Sequence, residues 1–349
     1  MPVILPSTES KVLVTGANGY IAAWVVQGLL QQGYSVRGTV RNEEKGKHLR
    51  ELCKSFGERF EIVTVEDITK EGAFDDAVKG VDAVEHMASP ITEIEDPEEY
   101  IKPAVNGTLS ILTSILKHGS KIKRVVYTSS CGAITSPNPP EPATYSEKDW
   151  NTTSIKVVEE QGRQATPHHK YRASKTLAER AAWEFYEKHK AEVEWDLVVI
   201  NPPMVYGPFI HAVTTPLNLN ASLQIFYAHV FSPTYSPKSE EALKASTSWV
   251  DVRDVADAHI MALQKEKASG HRFIISCDCY DWQEWIDLAN SLALPTLSSP
   301  LPKGIPGLER LYMIKYDTTQ AKEILGITKY RSKEESLVDM ANDFARRRW

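Results

Sequence analysis

The chain has 349 residues, of which 42% are apolar and 25% charged, and a formal net charge of −6. This is enough apolar chain for a sizeable core in one large unit or two closely packed ones, and the composition excludes a disordered polymer. The mild acidic balance gives no electrostatic case for nucleic acid or an anionic membrane as partner, and no apolar run approaches the ~20 residues of a membrane span.

In chain order, Lys11–Thr15 reads as a strand, Gly19–Gln32 as a helix, Tyr34–Val40 as a strand and Glu43–Phe56 as a charged helix. Strand character returns at Phe60–Val65, Asp82–Met87, Val125–Thr128 and Leu197–Ile200, with helical patterns at Pro97–Lys117 and Ala173–His189 between them. Strands alternating with helices predict βαβ units and a parallel sheet. The unbroken apolar runs Val12-Leu13-Val14 and Leu197–Ile200 suit strands buried on both faces. After Pro202-Pro203 the character changes, and residues 203–245 read as lid or substrate-domain material. Phe226, Tyr227, Phe231 and Tyr235 there suit either an aromatic lid or ordinary core. Ser248–Val252 and Arg272–Ser276 are expected to return as strands to the first domain, and Thr318–Arg347 to be helical.

Val14-Thr15-Gly16-Ala17-Asn18-Gly19-Tyr20-Ile21-Ala22 joins the first strand to the first helix. Gly16 permits a tight turn, Gly19 lets backbone approach a diphosphate, and small Ala22 lets helix pack on strand. The helix start supplies unpaired N–H groups and a positive dipole end for an anion. The second strand ends in Thr39-Val40-Arg41-Asn42. An NAD site would place Asp or Glu here for the ribose 2′-OH, whereas Arg41 offers a planar cation suited to a 2′-phosphate. Lys45 is placed to reach the same phosphate, Lys47 is as well read as a solvated helix face, and Asp67 suits the adenine amino group. The expected cofactor is therefore NADPH. The expected architecture is α/β: a Rossmann-type doubly wound parallel sheet with a smaller interleaved C-terminal substrate domain. Residues 1–202 with returning segments near 246–276 form the NADPH-binding domain, and 203–245 with 277–349 the substrate domain.

Tyr171-Arg172-Ala173-Ser174-Lys175 is predicted to open an amphipathic helix. Tyr171 and Lys175, four residues apart, share one face. A cation there is expected to lower the tyrosine from its ordinary value of about 10, making Tyr171 a proton donor near neutral pH. Val126-Tyr127-Thr128-Ser129-Ser130 reads as a strand that delivers Ser130 to the carboxyl edge of the sheet, where ligands of such sheets bind.

These residues resemble the short-chain dehydrogenase/reductase superfamily. Gly-x-x-Gly-x-x-Ala, His86-x-Ala88, Asn106-Gly107-Thr108 and Asp251-Val252-Arg253-Asp254-Val255-Ala256 are similar to its extended type. Thr39-Val40-Arg41, Thr128-Ser129-Ser130 and Asn201-Pro202 are most similar to the dihydroflavonol-reductase-like branch, which includes fungal NADPH-dependent methylglyoxal, aldehyde and ketone reductases. The resemblance implies a catalytic set of Ser130, Tyr171 and Lys175, with Asn106 in a proton relay. It also implies cofactor contacts at Gly16, Asn18, Gly19, Tyr20, Ile21, Arg41, Lys45, Asp67, Ile68, Ala88, Thr128, Tyr171, Lys175, Pro202 and Val205. A substrate pocket is implied at Ile91, Cys131, Thr135, His168 and Met204.

The expected activity is reduction of a small aldehyde or ketone to an alcohol, in a monomer or homodimer without a metal. A sugar-nucleotide epimerase or dehydratase, a steroid-type dehydrogenase and a non-enzymatic dinucleotide sensor share the fold, and Arg41 argues against the first. His168-His169 reads as loop histidines, His259 as structural, and Arg346-Arg347-Arg348 as a solvated helix end. The four cysteines, Cys53, Cys131, Cys277 and Cys279, are too scattered for a disulfide framework. Cys277-Asp278-Cys279 reads as two small residues at a strand end. With no secretory signal in Met1–Pro6, a reducing cytoplasmic setting is expected.

Overall fold

The computed structural model describes residues 3–89, 95–294 and 300–349; Ile91 lies outside the described residues. The chain runs β1 (Lys11–Val14), α1 (Tyr20–Gln31), β2 (Ser35–Val40), α2 (Glu43–Leu52), β3 (Phe60–Thr64), β4 (Ala83–His86), α3 (Pro97–His118), β5 (Arg124–Thr128), β6 (Ala143–Tyr145), α4 (Thr152–Gln161) and α5 (Pro167–His189). It continues through β7 (Asp196–Asn201), β8 (Met204–Tyr206), α6 (Ala221–Phe226), α7 (Glu240–Leu243), β9 (Ser246–Asp251), α8 (Val252–Gln264), β10 (Arg272–Ile274), β11 (Asp278–Asp281), α9 (Trp282–Ser291), β12 (Ile314–Tyr316) and α10 (Lys333–Arg346).

Seven strands form one parallel sheet in the order β10-β7-β5-β4-β1-β2-β3. Strand order reverses between β1 and β4, so the loops leaving these two strands flank the crevice where such sheets bind ligands. Alternate residues of each strand feed two cores. Val12 and Val14 point to one side with Val25, Val26 and Leu29 of α1 and Val255 and Ala258 of α8. Leu13, Val84, Val125 and Leu197 point to the other, against Ile111 and Ile115 of α3 and Ala182 of α5. Both faces are covered, which is why both alternating sets of residues in these strands are largely apolar. At the far edge Arg124 grips Asp196 with two hydrogen bonds of 2.6 and 2.7 Å, and its Nη1 donates to the carbonyls of Ala262 and Lys265 where α8 ends.

A three-stranded sheet, β11-β9-β8, and a two-stranded one, β12-β6, complete the strands of the described residues. Of the two strands expected to return to the first domain, β10 joins the central sheet and β9 lies in the three-stranded one. Pro202 and Pro203 lack N–H groups, so the β7 ladder stops at Asn201. The chain restarts as β8, which pairs with β9 instead.

Helix bounds also differ from expectation. The Thr166 hydroxyl accepts from the His169 N–H and Pro167 occupies the first turn, so α5 starts a turn before Tyr171. The charged helix stops at Leu52, and a tight turn with Gly57 at φ 58° follows. The C-terminal helical stretch is split at Gly326, φ 85°, before Ser332 caps α10. Phe226 and Phe231 are core, with Phe226 packed 4.9 Å from Trp285 and Phe231 5.1 Å from Phe344, whereas Tyr235 is 73% exposed. No helix among the described residues is long and apolar enough to cross a membrane.

Candidate active site

The turn after β1 is fixed by its neighbours. Gly16 has φ +62°, and a Cβ there would sit 3.1 Å from Ala88 Cα, so glycine is required on both counts. The Gly16 N–H donates to Thr39 Oγ1 at 3.1 Å and the Ala17 N–H to the Thr39 carbonyl at 2.9 Å, tying the turn to the end of β2. Gly19 caps α1, whose first-turn N–H groups have no intrahelical acceptor. The Tyr20 side chain is turned away from this end: it is buried and donates to the Gly207 carbonyl at 2.8 Å. Any contact of Tyr20 with a ligand at the turn is left to its backbone.

Arg41 and Lys45, both exposed, follow at the end of β2, and their side chains make no hydrogen bond or ion pair within the described residues. Lys47 instead pairs with Glu44 at 2.5 Å on a solvated face. Asp67 accepts from the Thr69 N–H and hydroxyl through Oδ1, and these bonds hold its carboxyl below the usual range, with Arg41 adding to the effect. Ile68 packs where a Cβ on Gly107 would lie 3.1 Å from its Cδ1.

Beyond β4, Thr15 Oγ1 accepts from the Met87 and Ala88 N–H groups, each at 3.0 Å. Its own proton is then left for His86 Nδ1 at 2.9 Å. Burial and the nearby Lys175 push His86 down to about 3, so it is neutral and carries its proton on Nε2. Below the sheet edge, the Thr128 hydroxyl meets His259 Nε2 at 3.2 Å, and His259 Nδ1 meets Glu85 at 2.6 Å. The Thr128 hydroxyl is therefore engaged with the core.

Ser130, two residues past β5, caps a short 3₁₀ turn, Cys131–Ala133, accepting from the Gly132 N–H at 2.9 Å. Its side chain is within hydrogen-bonding reach of Tyr171 from α5. Lys175, one turn on and 6% exposed, donates to Ser89 Oγ at 3.1 Å beyond β4. These three side chains thus approach the crevice from β5 and α5. The expected electrostatics differ. Burial dominates at Tyr171 and raises it above its ordinary value, while the Ser130 contact and Arg172 act against this. The ammonium of Lys175 lies toward Ser89, and burial lowers it to about 8.

Behind this set sits a group the sequence reading missed. Glu179, fully buried, accepts from Ser129 Oγ at 2.5 Å, Asn201 Nδ2 at 2.9 Å and Arg272 Nε at 2.5 Å. Asn201 Nδ2 also donates to the Ser130 carbonyl at 3.2 Å. The signal was present: Tyr171, Lys175 and Glu179 recur at intervals of four on one helix face.

Other expected residues are placed less directly. Asn106 is exposed on α3 and makes no side-chain hydrogen bond within the described residues. Cys131 is buried with Ile134 and Ile274, its thiol on the Asn201 carbonyl at 3.1 Å. The Thr135 hydroxyl is held by Tyr316 at 2.6 Å, and the Pro202 carbonyl accepts from the Cys131 N–H at 2.9 Å. Met204 is half-buried and Val205 buried in β8. His168 Nε2 accepts from Arg172 and His169 Nδ1 pairs with Ser154 at 3.1 Å, so the adjacent rings have separate partners. All four cysteines are free; Cys279 lies within β11 with its thiol on the Ile314 carbonyl at 3.3 Å. Among the described residues no cluster of His, Cys, Asp and Glu could hold a metal.

Comparison with known proteins matches residues 12–276 to the profile of the NAD dependent epimerase/dehydratase family. A ketoreductase, azaE, of Aspergillus niger is 35% identical, over 92% of this chain and 94% of the relative. The NADPH-dependent methylglyoxal reductase GRE2 of Saccharomyces cerevisiae is 34% identical, over 95% and 97%. The crystal structure of yeast methylglyoxal/isovaleraldehyde reductase Gre2 complexed with NADPH superposes with a TM-score of 0.83 at 33% identity, over 96% of this chain and 98% of that one. With relatives of this identity along almost the whole length, the chain belongs to the NAD dependent epimerase/dehydratase family, the extended short-chain dehydrogenases/reductases.

Proposed function

We propose that this protein is an NADPH-dependent carbonyl reductase that converts aldehydes or ketones to alcohols. The observation that carries the reading is the meeting of Ser130 and Tyr171 at the carboxyl end of β5, with Lys175 one helical turn away and the glycine turn across the crevice. Relatives named as NADPH-dependent reductases support it.

The residues fit the cofactor. Gly16 leaves a cradle that a Cβ would fill, α1 offers free N–H groups to a diphosphate, and the exposed Arg41 makes no ion pair among the described residues. Lys45 and Asp67 flank the same end. Bound NADPH supplies the hydride for the carbonyl carbon. Ser130 and Tyr171 bind the carbonyl oxygen, and Tyr171 gives it a proton as negative charge develops there. Lys175, charged below about pH 8, stabilises the tyrosinate that remains. Glu179, through Ser129 and Asn201, holds the strand end that carries Ser130. The partner is a small carbonyl compound, and the four free cysteines suit a reducing cytosolic setting.

The test is loss of NADPH absorbance, with NADH in parallel, against a panel of ketones, α-dicarbonyls and β-keto esters. NADPH-selective turnover that collapses in Tyr171→Phe supports the reading. Folded protein that binds NADPH and reduces no carbonyl on the panel overturns it.

A further inference from the structure

Arg172 follows Tyr171 in sequence, and the mechanism above does not use its charge. A Cβ on Gly132 would lie 3.3 Å from Arg172 Cγ, 3.2 Å from Ser130 Oγ and 3.6 Å from Tyr171 Cε1. The arginine stem and the proposed reacting groups therefore surround a single point. Past the stem, Nε donates to His168 Nε2 at 2.8 Å and Nη1 to the Thr135 carbonyl at 2.9 Å. A guanidinium has five N–H bonds. Nη2 has no partner among the described residues and is not a buried atom. No carboxylate forms an ion pair with Arg172 within the described residues, and its neighbours Tyr316, Tyr171, Cys131 and Tyr145 are uncharged side chains.

His168 adds a second donor. Because Nε2 accepts from Arg172, the neutral ring carries its proton on Nδ1. That atom has no partner among the described residues either. Partial burial and the adjacent guanidinium hold His168 down at about 4, so this tautomer persists at neutral pH. Two donors without acceptors among the described residues thus lie at the end of an arginine stem that itself passes Ser130 and Tyr171. A cationic guanidinium with an unused N–H is complementary to a carboxylate.

We propose that Arg172 and His168 form an anion-recognising rim, and that the preferred substrates are carbonyl compounds bearing a carboxylate a few bonds from the reacting carbon: keto acids rather than neutral ketones. This rests on the carbonyl-reductase reading. If Arg172 served only to staple α5 to the turn at 131–135, an acid and its ester would be treated alike.

The experiment measures NADPH-dependent kcat/KM for 2-oxo, 3-oxo and 4-oxo pentanoic acids and for their methyl esters, so that each pair shares one carbonyl. For at least one spacing the acid is expected to be favoured tenfold or more. The acid-to-ester ratio should fall at least tenfold in Arg172→Met and recover partly in Arg172→Lys. A ratio near one for every pair overturns the rim, as does a ratio that Arg172→Met leaves unchanged. If Arg172→Met does not fold, inhibition of ester reduction in the unaltered protein decides. Pentanoate should inhibit at a tenfold lower concentration than pentanamide, and equal inhibition overturns the rim. Ester turnover without acid preference sinks this inference alone; no turnover of either compound sinks the reductase reading with it.

Discussion

Glu179 and Arg272 meet at 2.5 Å in the buried layer behind the strand end that carries Ser130. The arginine is fixed further by the Glu147 and Asp149 carbonyls, at 2.6 and 2.9 Å, and by stacking 3.8 Å over the Trp150 ring. One ion pair thereby joins α5, β10 and the segment before α4, and through Ser129 and Asn201 it reaches β5 and β7. Removing the cation leaves a desolvated carboxylate, so Arg272→Met should cost about 3–5 kcal/mol. Urea unfolding reads this directly. A loss under about 1 kcal/mol would show that the pair does not organise this layer. The double variant with Glu179→Gln should lose less than the sum of the singles.

The same carboxylate sets a pH limit. Burial lowers Lys175 to about 8 and Glu179 opposes that shift. Lys175 is charged below this value and neutral above it, so kcat/KM for reduction should fall as pH rises through about 8. His86 titrates near 3 and does not contribute in this range. Glu179→Gln removes the group that favours the ammonium, and the falling limb should move to lower pH. An unmoved limb would separate Glu179 from the chemistry.

Arg41 should decide between the two dinucleotides. Charge-assisted hydrogen bonds contribute about 1.5–3 kcal/mol, or roughly 10- to 100-fold in affinity. Arg41→Ala should lower the NADPH-to-NADH ratio of kcat/KM by that factor, chiefly through KM for NADPH. An unchanged ratio would mean that the 2′-phosphate is read elsewhere.

Loss of the proton donor should be larger. Tyr171→Phe should reduce kcat by about 10²–10⁴-fold. NADPH binding, followed by fluorescence titration, should persist because the glycine turn lies on separate elements. Loss of binding with full kcat at saturation would reverse the assignment.

Much of this was legible in the sequence, for local reasons. The β1–turn–α1 unit shows in Val12–Ala22 because apolar strand, obligate glycine and helix start are neighbours in the chain. The central sheet shows because strands covered on both faces must be apolar throughout. What depended on distant partners did not show. Ser246–Asp251 has the composition of any buried strand, and only the prolines after Asn201 determine which sheet receives it. Thr166-Pro167 was a readable helix start, overlooked because Tyr171 drew the boundary toward itself. The turn capped by Ser130 sends Cys131 inward, an orientation no residue pattern announces. Lys175 was expected to tune Tyr171 by spacing alone, but desolvation outweighs spacing there.

Tyr20 and Trp24 stand one turn apart on α1 and donate to the Gly207 and Pro208 carbonyls at 2.8 and 3.0 Å. The helix that would receive a diphosphate at its start is thus bracketed to the place where the chain leaves β8 for the region 209–245. A hinge at 207–208 would have to break both bonds. Cofactor arrival and the substrate-side chain consequently share one lever arm: tightening at the glycine turn should appear as slower amide exchange around 207–210, a stiffening of the bracket with little swing of one half of the molecule against the other.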